Sequence, residues 1–170
     1  WVDGNHVETL VNGDEIFPSM LKAIRSAQKT VTFETYAFVD GKVAHDFVRA
    51  FCARARAGVK VHVILDAIGG KSAGDENIER MMDAGVDVRI YHPFSIENLH
   101  RFNTRDHRKI MVVDGVVGFS GGSGVGDAWM GDAHTSKHWR ENHYRLTGPV
   151  VAQLQEGFNE NWVKAGGKKL

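Results

Sequence analysis

The chain has 170 residues, of which 42% are hydrophobic and 25% charged, which is typical of a soluble globular protein with one compact core. It contains no run of about 18 apolar residues that would cross a membrane, and its single cysteine excludes an internal disulfide. Lysine and arginine number 21, as do aspartate and glutamate, so the chain lacks the basic surplus of proteins that bind DNA regardless of its sequence.

The first half of the chain predicts alternating strands and helices. Strands are indicated by β-branched and aromatic residues, and helices by apolar residues three and four positions apart. The predicted strands lie near 7–11, 31–38, 59–65 and 86–91, and the predicted helices near 17–27, 43–55 and 78–82. This order predicts βαβ units around a largely parallel sheet that is covered on both faces. Cys52 falls on the apolar face of the second helix, so we interpret it as a core residue.

The pattern changes after residue 91. A stretch without clear periodicity, 92–105, precedes apolar runs at 107–113 and 116–119, which are joined by Asp114-Gly115, a strong hairpin signal. A glycine-rich loop, a polar loop, a strand near 141–146 and a closing helix follow. The hairpin makes the sheet mixed. The predicted fold is therefore α/β, with a mixed β-sheet, helices on both faces and a single domain over residues 1–170.

His107 and Lys109 are the strongest candidates for chemistry. They are two positions apart in a predicted strand, so their side chains share one face. A histidine that attacks phosphorus or transfers a proton, next to a cation that offsets charge on the phosphate oxygens, suits phosphoryl chemistry. Arg101, Arg105 and Arg108 add local positive charge. An isolated His-x-Lys is also typical of the polar face of an edge strand.

A longer string around these residues favours the chemical interpretation. Residues 107–114 read H-x-K-x4-D, and Gly121-Gly122-Ser123 follows at the end of the next predicted strand. This string resembles the motif of the phospholipase D superfamily. The segments NGDEIFPSMLKAIRSA, FETYAF, RARAGVKVHVILD and HWRENHYRLTGPVVAQLQEGFNENW are similar to the first half of bacterial cardiolipin synthases. The resemblance covers nearly the whole chain and implies a phospholipase D-like α/β/α sandwich.

The resemblance implies a role for each matching residue. His107 matches the histidine that attacks phosphorus to form a phosphohistidine, while a second motif histidine protonates the leaving oxygen. Lys109 matches the lysine that binds phosphate. Asp114 matches an aspartate that supports the site without touching substrate, and a hairpin-turn residue fits equally well. Glu141 matches an acidic residue that accepts a hydrogen bond from the histidine ring and fixes its tautomer. An exposed charge at a strand end is the alternative for Glu141.

The glycine-rich turn is the predicted phosphate cradle. Gly121, Gly122, Ser123 and Arg105 are the predicted phosphate-binding residues, because successive amides in a glycine turn form anion-binding concavities. Family members commonly carry Asn at the position of Gly124, so one amide donor is missing from this chain. Ser123 or backbone N–H groups of the turn are the predicted substitutes.

Two further patterns predict no site. Residues 70–72 read Gly-Lys-Ser, as at the end of a P-loop, but the glycine required five residues earlier is Leu65. His134, His138 and His143 lie close together along the chain, yet no cysteine or acidic motif with known ligand spacing accompanies them. We therefore predict no metal site and no cofactor.

Four further residues are weaker candidates for the site. Glu34 and Tyr36 lie on one face of their strand and are candidates to point towards it, although a satisfied polar pair at a strand end has the same pattern. Trp129 and Met130 lie in the polar loop, where a lipid contact is one interpretation. A loop anchor packed on the domain is the favoured one.

The resemblance implies metal-independent exchange of phosphodiesters, with phospholipid at a bacterial membrane surface as the favoured substrate. Two alternatives stay open: a nuclease or other phosphodiesterase, and a non-catalytic half-domain that binds lipid or protein. The family mechanism uses two motif histidines and this chain has one motif. We therefore expect a second phospholipase D-like half, either in a homodimer or in a longer protein from which this chain, which starts at Trp1 without Met, derives.

Overall fold

The computed structural model describes residues 3–67, 72–91 and 107–170. The strands are β1 (His6–Val11), β2 (Thr30–Thr35), β3 (Lys60–Asp66), β4 (Asp87–Tyr91), β5 (Lys109–Val113), β6 (Val117–Gly121) and β7 (Asn142–Thr147). The helices are α1 (Asn12–Ser26), α2 (Lys42–Arg56), α3 (Asp75–Asp83) and α4 (Val150–Lys164), with a short 3₁₀ helix at Asp127–Trp129. Within these ranges, none of the helices has the length and apolar character that crossing a membrane requires.

The strands form one mixed sheet in the order β1-β7-β6-β5-β2-β3-β4. β2, β3 and β4 are parallel, and α2 and α3 connect them as βαβ units. The other neighbours are antiparallel. The hairpin between β5 and β6 turns at Asp114 and Gly115, whose φ angles of 53° and 67° suit a tight turn between twisted strands. The predicted mixed sheet is confirmed, and antiparallel neighbours outnumber parallel ones.

Helices cover both faces of the sheet, as predicted. On one face, α1, α2 and α3 enclose the larger core, which contains Phe33, Phe47 and Cys52. The interpretation of Cys52 as a core residue is confirmed. On the other face, Phe158 and Trp162 of α4 are fully buried in a smaller apolar cluster. The sheet is thus the middle layer of an α/β/α sandwich.

Strand β1 runs directly into helix α1, which begins at Asn12, earlier than the start near residue 17 that the sequence predicts. Asn12 makes the change of direction with a φ of 58°, a left-handed conformation that asparagine tolerates better than most residues. Its N–H donates to the carbonyl of Glu141 at 2.9 Å, and its Oδ1 accepts from the N–H of Glu141 at 3.0 Å. These two hydrogen bonds tie the start of α1 to Glu141, the residue that precedes β7.

The sheet topology brings the ends of four inner strands, β2, β5, β6 and β7, to the same side of the sheet. Because β5 is antiparallel to β2, Lys109 at the start of β5 lies opposite Thr35 at the end of β2. Because β7 is antiparallel to β6, His143 near the start of β7 lies opposite Gly121 at the end of β6. His107, which the sequence places within the strand, precedes β5 in the structure. His107, Lys109, Gly122 and Glu141 therefore come together where these four strand ends meet.

Candidate active site

A cavity of about 580 Å³ opens at the ends of these four strands. His107, Lys109, Gly122 and Glu141 line one end of it. Its volume lies within the range of small-molecule sites, about 300 to 1,000 Å³. Three of the four predicted catalytic residues are thus brought to one cavity by segments that are far apart along the chain.

His107 and Lys109 are in direct contact. The Lys109 side chain is only 7% exposed, and its Nζ lies 3.1 Å from Nδ1 of His107 and donates to the His107 carbonyl at 2.8 Å. The ring of Tyr36 lies against the His107 ring, with 5.0 Å between the centroids, and 5.9 Å from the Lys109 Nζ. A histidine, a buried ammonium group and an aromatic ring therefore form one cluster at the polar end of the cavity.

Glu141 is held in the cavity wall mainly through its own backbone. Its N–H and carbonyl bond to Asn12, and its Oε1 accepts from the N–H of Asn142 at 3.0 Å. The carboxylate lies over Gly122, in space that a Cβ at that position would occupy. The predicted hydrogen bond from the His107 ring to Glu141 is not among the contacts of the described residues, and Nδ1 of His107 contacts Lys109 instead. Both side chains nevertheless face the same cavity.

Asp114 lies at the opposite end of β5 from His107. Its carboxylate accepts hydrogen bonds from the backbone N–H groups of Gln28, Lys29 and Thr30, at 2.7 to 2.8 Å. Burial alone would raise the pKa of Asp114, but these three donors outweigh it and hold that pKa below its usual range. Asp114 therefore braces the β5–β6 hairpin against the α1–β2 connection, far from the cavity.

The glycine-rich turn presents less of its polar surface to the cavity than the sequence suggests. Gly121 is paired with His143 in the sheet, and the N–H of Gly122 donates to the carbonyl of Asn142 at 3.2 Å. The Ser123 side chain is buried and its hydroxyl donates to the Gly124 carbonyl at 2.9 Å. Of these residues, Gly122 is the one that lines the cavity. Arg105 lies outside the described residues.

Gly124 has no room for a side chain. A Cβ at this position would lie 2.8 Å from the Cβ of Ala37 and 2.9 Å from the Cη2 of Trp129, closer than carbon atoms approach in folded proteins. The absence of the usual Asn is thus tied to the close approach of Ala37 and Trp129 on either side of the turn. The sequence alone gave no sign of this constraint.

His143 is a site neighbour that sequence reasoning grouped with the wrong partners. It lies in β7 with 2% of its surface exposed, whereas in the preceding loop His134 is exposed and His138 is half-buried. Burial, with the charge of Lys109 as the second cause, lowers the pKa of His143 to about 4. Its Nδ1 has no hydrogen-bond partner among the described residues. His143 is therefore a neutral ring packed next to the site lysine.

Glu34 and Tyr36, which the sequence places on one strand face, have different surroundings. Tyr36 reaches the site, as stated above, whereas Glu34 is fully buried and accepts a hydrogen bond from Nδ2 of Asn161 in α4 at 2.6 Å. Trp129 is packed into the larger core, which confirms its interpretation as a loop anchor. Trp139 also lines the cavity. No periodic pattern in the polar loop marks it, so the sequence analysis did not single it out.

Known proteins with related sequences match most of this chain. A family model described as "Cardiolipin synthase, PLD-like domain" matches residues 20–162. The chain is 40% identical over 162 residues to cardiolipin synthase A of Pseudomonas fluorescens, covering 93% of this chain and 33% of that protein. The chain thus spans about a third of the length of the curated relatives it matches.

Solved structures share the fold. Nuc from Salmonella typhimurium, described as a phospholipase D family member, superimposes with a TM-score of 0.72 and 19% identity over 95% of this chain and 96% of that chain. NucT from Helicobacter pylori gives a TM-score of 0.69 and 16% identity over 95% and 98% of the two chains. Because the family model and the curated relatives cover most of the sequence, the chain belongs to the phospholipase D superfamily, in the family of phospholipase D-like domains of cardiolipin synthases.

Proposed function

We propose that the protein transfers or hydrolyses the phosphodiester of phospholipids through a covalent phosphohistidine at His107. The observation that carries this proposal is the contact between His107 and Lys109 at the polar end of a cavity, where Nδ1 of His107 lies 3.1 Å from Nζ of Lys109. A ring nitrogen next to a fixed ammonium group can attack phosphorus while the cation stabilises the charge on the non-bridging oxygens.

The first step forms the covalent intermediate. A ring nitrogen of His107 attacks phosphorus, the nitrogen–phosphorus bond forms, and the bond from phosphorus to the first alcohol breaks. A second histidine, supplied by another phospholipase D-like half, gives its proton to the leaving oxygen. Lys109 binds the non-bridging oxygens throughout, and Glu141 takes the hydrogen bond of the second ring nitrogen of His107 as positive charge develops on the ring.

The second step regenerates the histidine. A second alcohol or water gives its proton to the other half's histidine and attacks phosphorus, and the nitrogen–phosphorus bond breaks. Transfer and hydrolysis therefore share one intermediate and differ only in the acceptor. No metal ion has a role in either step, because the ammonium group of Lys109 supplies positive potential at the phosphate oxygens.

Phospholipid is favoured over nucleic acid for two reasons. The 40% identical relative is named cardiolipin synthase A, and phospholipase D-like domains of cardiolipin synthase are the family that matches. The chain also has no net charge, whereas binding along a polynucleotide needs a groove of several cations. A phospholipid substrate would place the working protein at a membrane surface.

A direct assay tests the proposal. The protein is incubated in EDTA with phosphatidylglycerol vesicles and, separately, with single-stranded DNA, and the products are separated by chromatography. We expect product from the lipid, and no product from His107→Ala. His134→Ala is the matched control, because His134 is an exposed loop histidine that does not line the cavity. Cleavage of DNA alone would support a nuclease, and full activity of a folded His107→Ala would remove the nucleophile assignment.

A second experiment tests how the site is completed. For activity of this chain alone, we propose a symmetric dimer in which each copy supplies one His107. Wild type is mixed with His107→Ala under conditions that allow subunit exchange. A dimer that needs both histidines loses activity as the square of the wild-type fraction. A linear fall would show that each chain works by itself, and would contradict the shared site.

A further inference from the structure

The cavity that holds His107 has a second, apolar end. This end is lined by Trp139, Trp129 and Val39, together with Ala37 and Ala128. The two indole rings meet edge to face, with 4.8 Å between their centroids and 81° between their planes. A polar site that can bind phosphate is therefore continuous with an aromatic and aliphatic wall.

This wall is exposed although its side chains are large and apolar. Trp139 is 56% exposed and Val39 is 40% exposed. Of the exposed large apolar side chains in the described ranges, these two are the ones that line the cavity. Leaving so much apolar surface in water is unfavourable, and exposed apolar patches commonly mark binding sites.

The wall is held in place by the backbone. The N–H of Trp139 donates to the carbonyl of Ala128 at 2.7 Å, and the N–H of Val39 donates to the carbonyl of Val125 at 2.8 Å. Trp129, against which Trp139 packs, is only 8% exposed. Because the wall is preorganised, a ligand that covers it gives up little conformational entropy on the protein side.

The polar groups near the wall favour a lipid over a nucleotide chain. Of the described residues that line the cavity, Lys109 is the one lysine or arginine, whereas Asp127 and Glu141 are acidic and would repel a second backbone phosphate. Asp127 is the acidic group at the apolar end, and its carboxylate accepts hydrogen bonds from the backbone N–H groups of Lys42 and Val43 at the start of α2. One phosphate flanked by apolar substituents matches this distribution.

We propose that Trp139 and Val39, with Trp129 packed behind Trp139, form a subsite for the acyl-glycerol part of a phospholipid substrate. The inference rests on the proposed function, since it requires the lipid phosphate to lie at His107. A substrate anchored there extends its acylated glycerol along the wall, and the exposed faces of Trp139 and Val39 become buried on binding.

Binding rather than turnover tests the subsite. All variants carry His107→Ala, so that the probes are not consumed, and affinities are measured by calorimetric or NMR titration. The probes are dihexanoyl phosphatidylglycerol, glycerophosphoglycerol, which has the same headgroup without acyl chains, and a short single-stranded oligonucleotide. We expect dihexanoyl phosphatidylglycerol to bind at least about tenfold more tightly than glycerophosphoglycerol, a difference that one buried apolar contact region can supply.

Trp139→Ala should abolish that tenfold preference and leave the affinity for glycerophosphoglycerol unchanged. Trp139→Phe should retain most of the preference, and Val116→Ala, an exposed apolar residue outside the cavity, should retain all of it. Circular dichroism confirms that each variant is folded.

Three results would overturn the subsite. Equal affinity for dihexanoyl phosphatidylglycerol and glycerophosphoglycerol would contradict the subsite while leaving the proposed chemistry intact. Binding of neither probe would contradict the subsite and the phospholipid substrate together. Oligonucleotide binding that depends on Trp139, without lipid binding, would assign the wall to a nucleobase instead.

Discussion

Nζ of Lys109 occupies the hydrogen-bonding position at Nδ1 of His107, 3.1 Å away. An ammonium group can only donate, so Nδ1 is the acceptor and the proton of the neutral ring belongs on Nε2. This tautomer leaves no lone pair on Nε2 for attack. Binding of a phosphate would draw Lys109 towards the phosphate oxygens and free Nδ1 to donate to Glu141. The contact therefore describes a resting state that substrate reorganises.

The tautomer of His107 can be observed directly. Long-range nitrogen–proton NMR spectra, recorded at about pH 8, above the ordinary range of histidine titration, should show the Nε2–H tautomer in the free protein. Orthovanadate, a phosphate analogue, should shift His107 towards Nδ1–H. In Lys109→Met the donor to Nδ1 is gone, so the response to vanadate should be lost. An Nδ1–H ring in the free protein would contradict the resting state.

Asp114 should matter for stability and little for substrate binding. Asp114→Ala removes the acceptor of three backbone N–H groups, and we expect the free energy of unfolding to fall by about 2 to 3 kcal/mol. Asp114→Asn keeps one acceptor oxygen and tolerates the positive φ of 53°, so it should lose roughly half as much. Urea denaturation measures both. A strong effect on lipid affinity with unchanged stability would instead place Asp114 in the site.

Local signals predicted most of the fold, and long-range contacts decided the remainder. Apolar periodicity and the Asp114-Gly115 turn predicted the succession of strands and helices along the chain and the hairpin, because each is encoded within a few residues. The direct passage from β1 to α1 depends on Asn12, whose partner Glu141 is 129 residues away. The burial of His143 depends on its register opposite Gly121. Its spacing from His134 carried no information about that pairing.

His143 should make the protein less stable in mild acid. Its pKa is about 4 in the folded state, whereas its ordinary value is 6.5, so the unfolded chain binds the extra proton first. The stability that depends on neutral His143 is complete above pH 6.5 and is lost as the pH falls towards 4. Since one pKa unit is worth about 1.4 kcal/mol, the loss is on the order of 3 kcal/mol.

Urea denaturation at several pH values between 6.5 and 4 measures this loss of stability. His143→Leu should show a weaker dependence of unfolding free energy on pH than the wild type. His62→Leu is the comparison variant, because burial also lowers the pKa of His62 and its ring lies on the other face of the sheet, against Trp162. Identical pH dependence in His143→Leu and the wild type would show that folding does not lower the pKa of His143.

Gly124→Asn restores the residue that family members commonly carry, yet it should harm this protein. The added Cβ would lie 2.8 Å from that of Ala37 and 2.9 Å from the Trp129 ring, so either the turn or the tryptophan must move. Overpacking of this kind costs about 1 to 3 kcal/mol of unfolding free energy. Gly124→Ala, which adds the Cβ without the amide, should lose a similar amount, because the collision begins at that atom.

Gly157→Ala provides the matched control for this comparison. An added Cβ at Gly157 in α4 would meet Ile110 at 3.5 Å, an ordinary contact, and alanine favours the helix, so stability should be unchanged or slightly raised. Thermal unfolding of the three variants separates a clash at Gly124 from a general intolerance of added methyl groups. Because a displaced Trp129 also disturbs Trp139, Gly124→Asn should weaken the binding of dihexanoyl phosphatidylglycerol. A Gly124→Asn protein that is as stable as the wild type and more active would show that the turn adapts and that the missing amide limits the reaction.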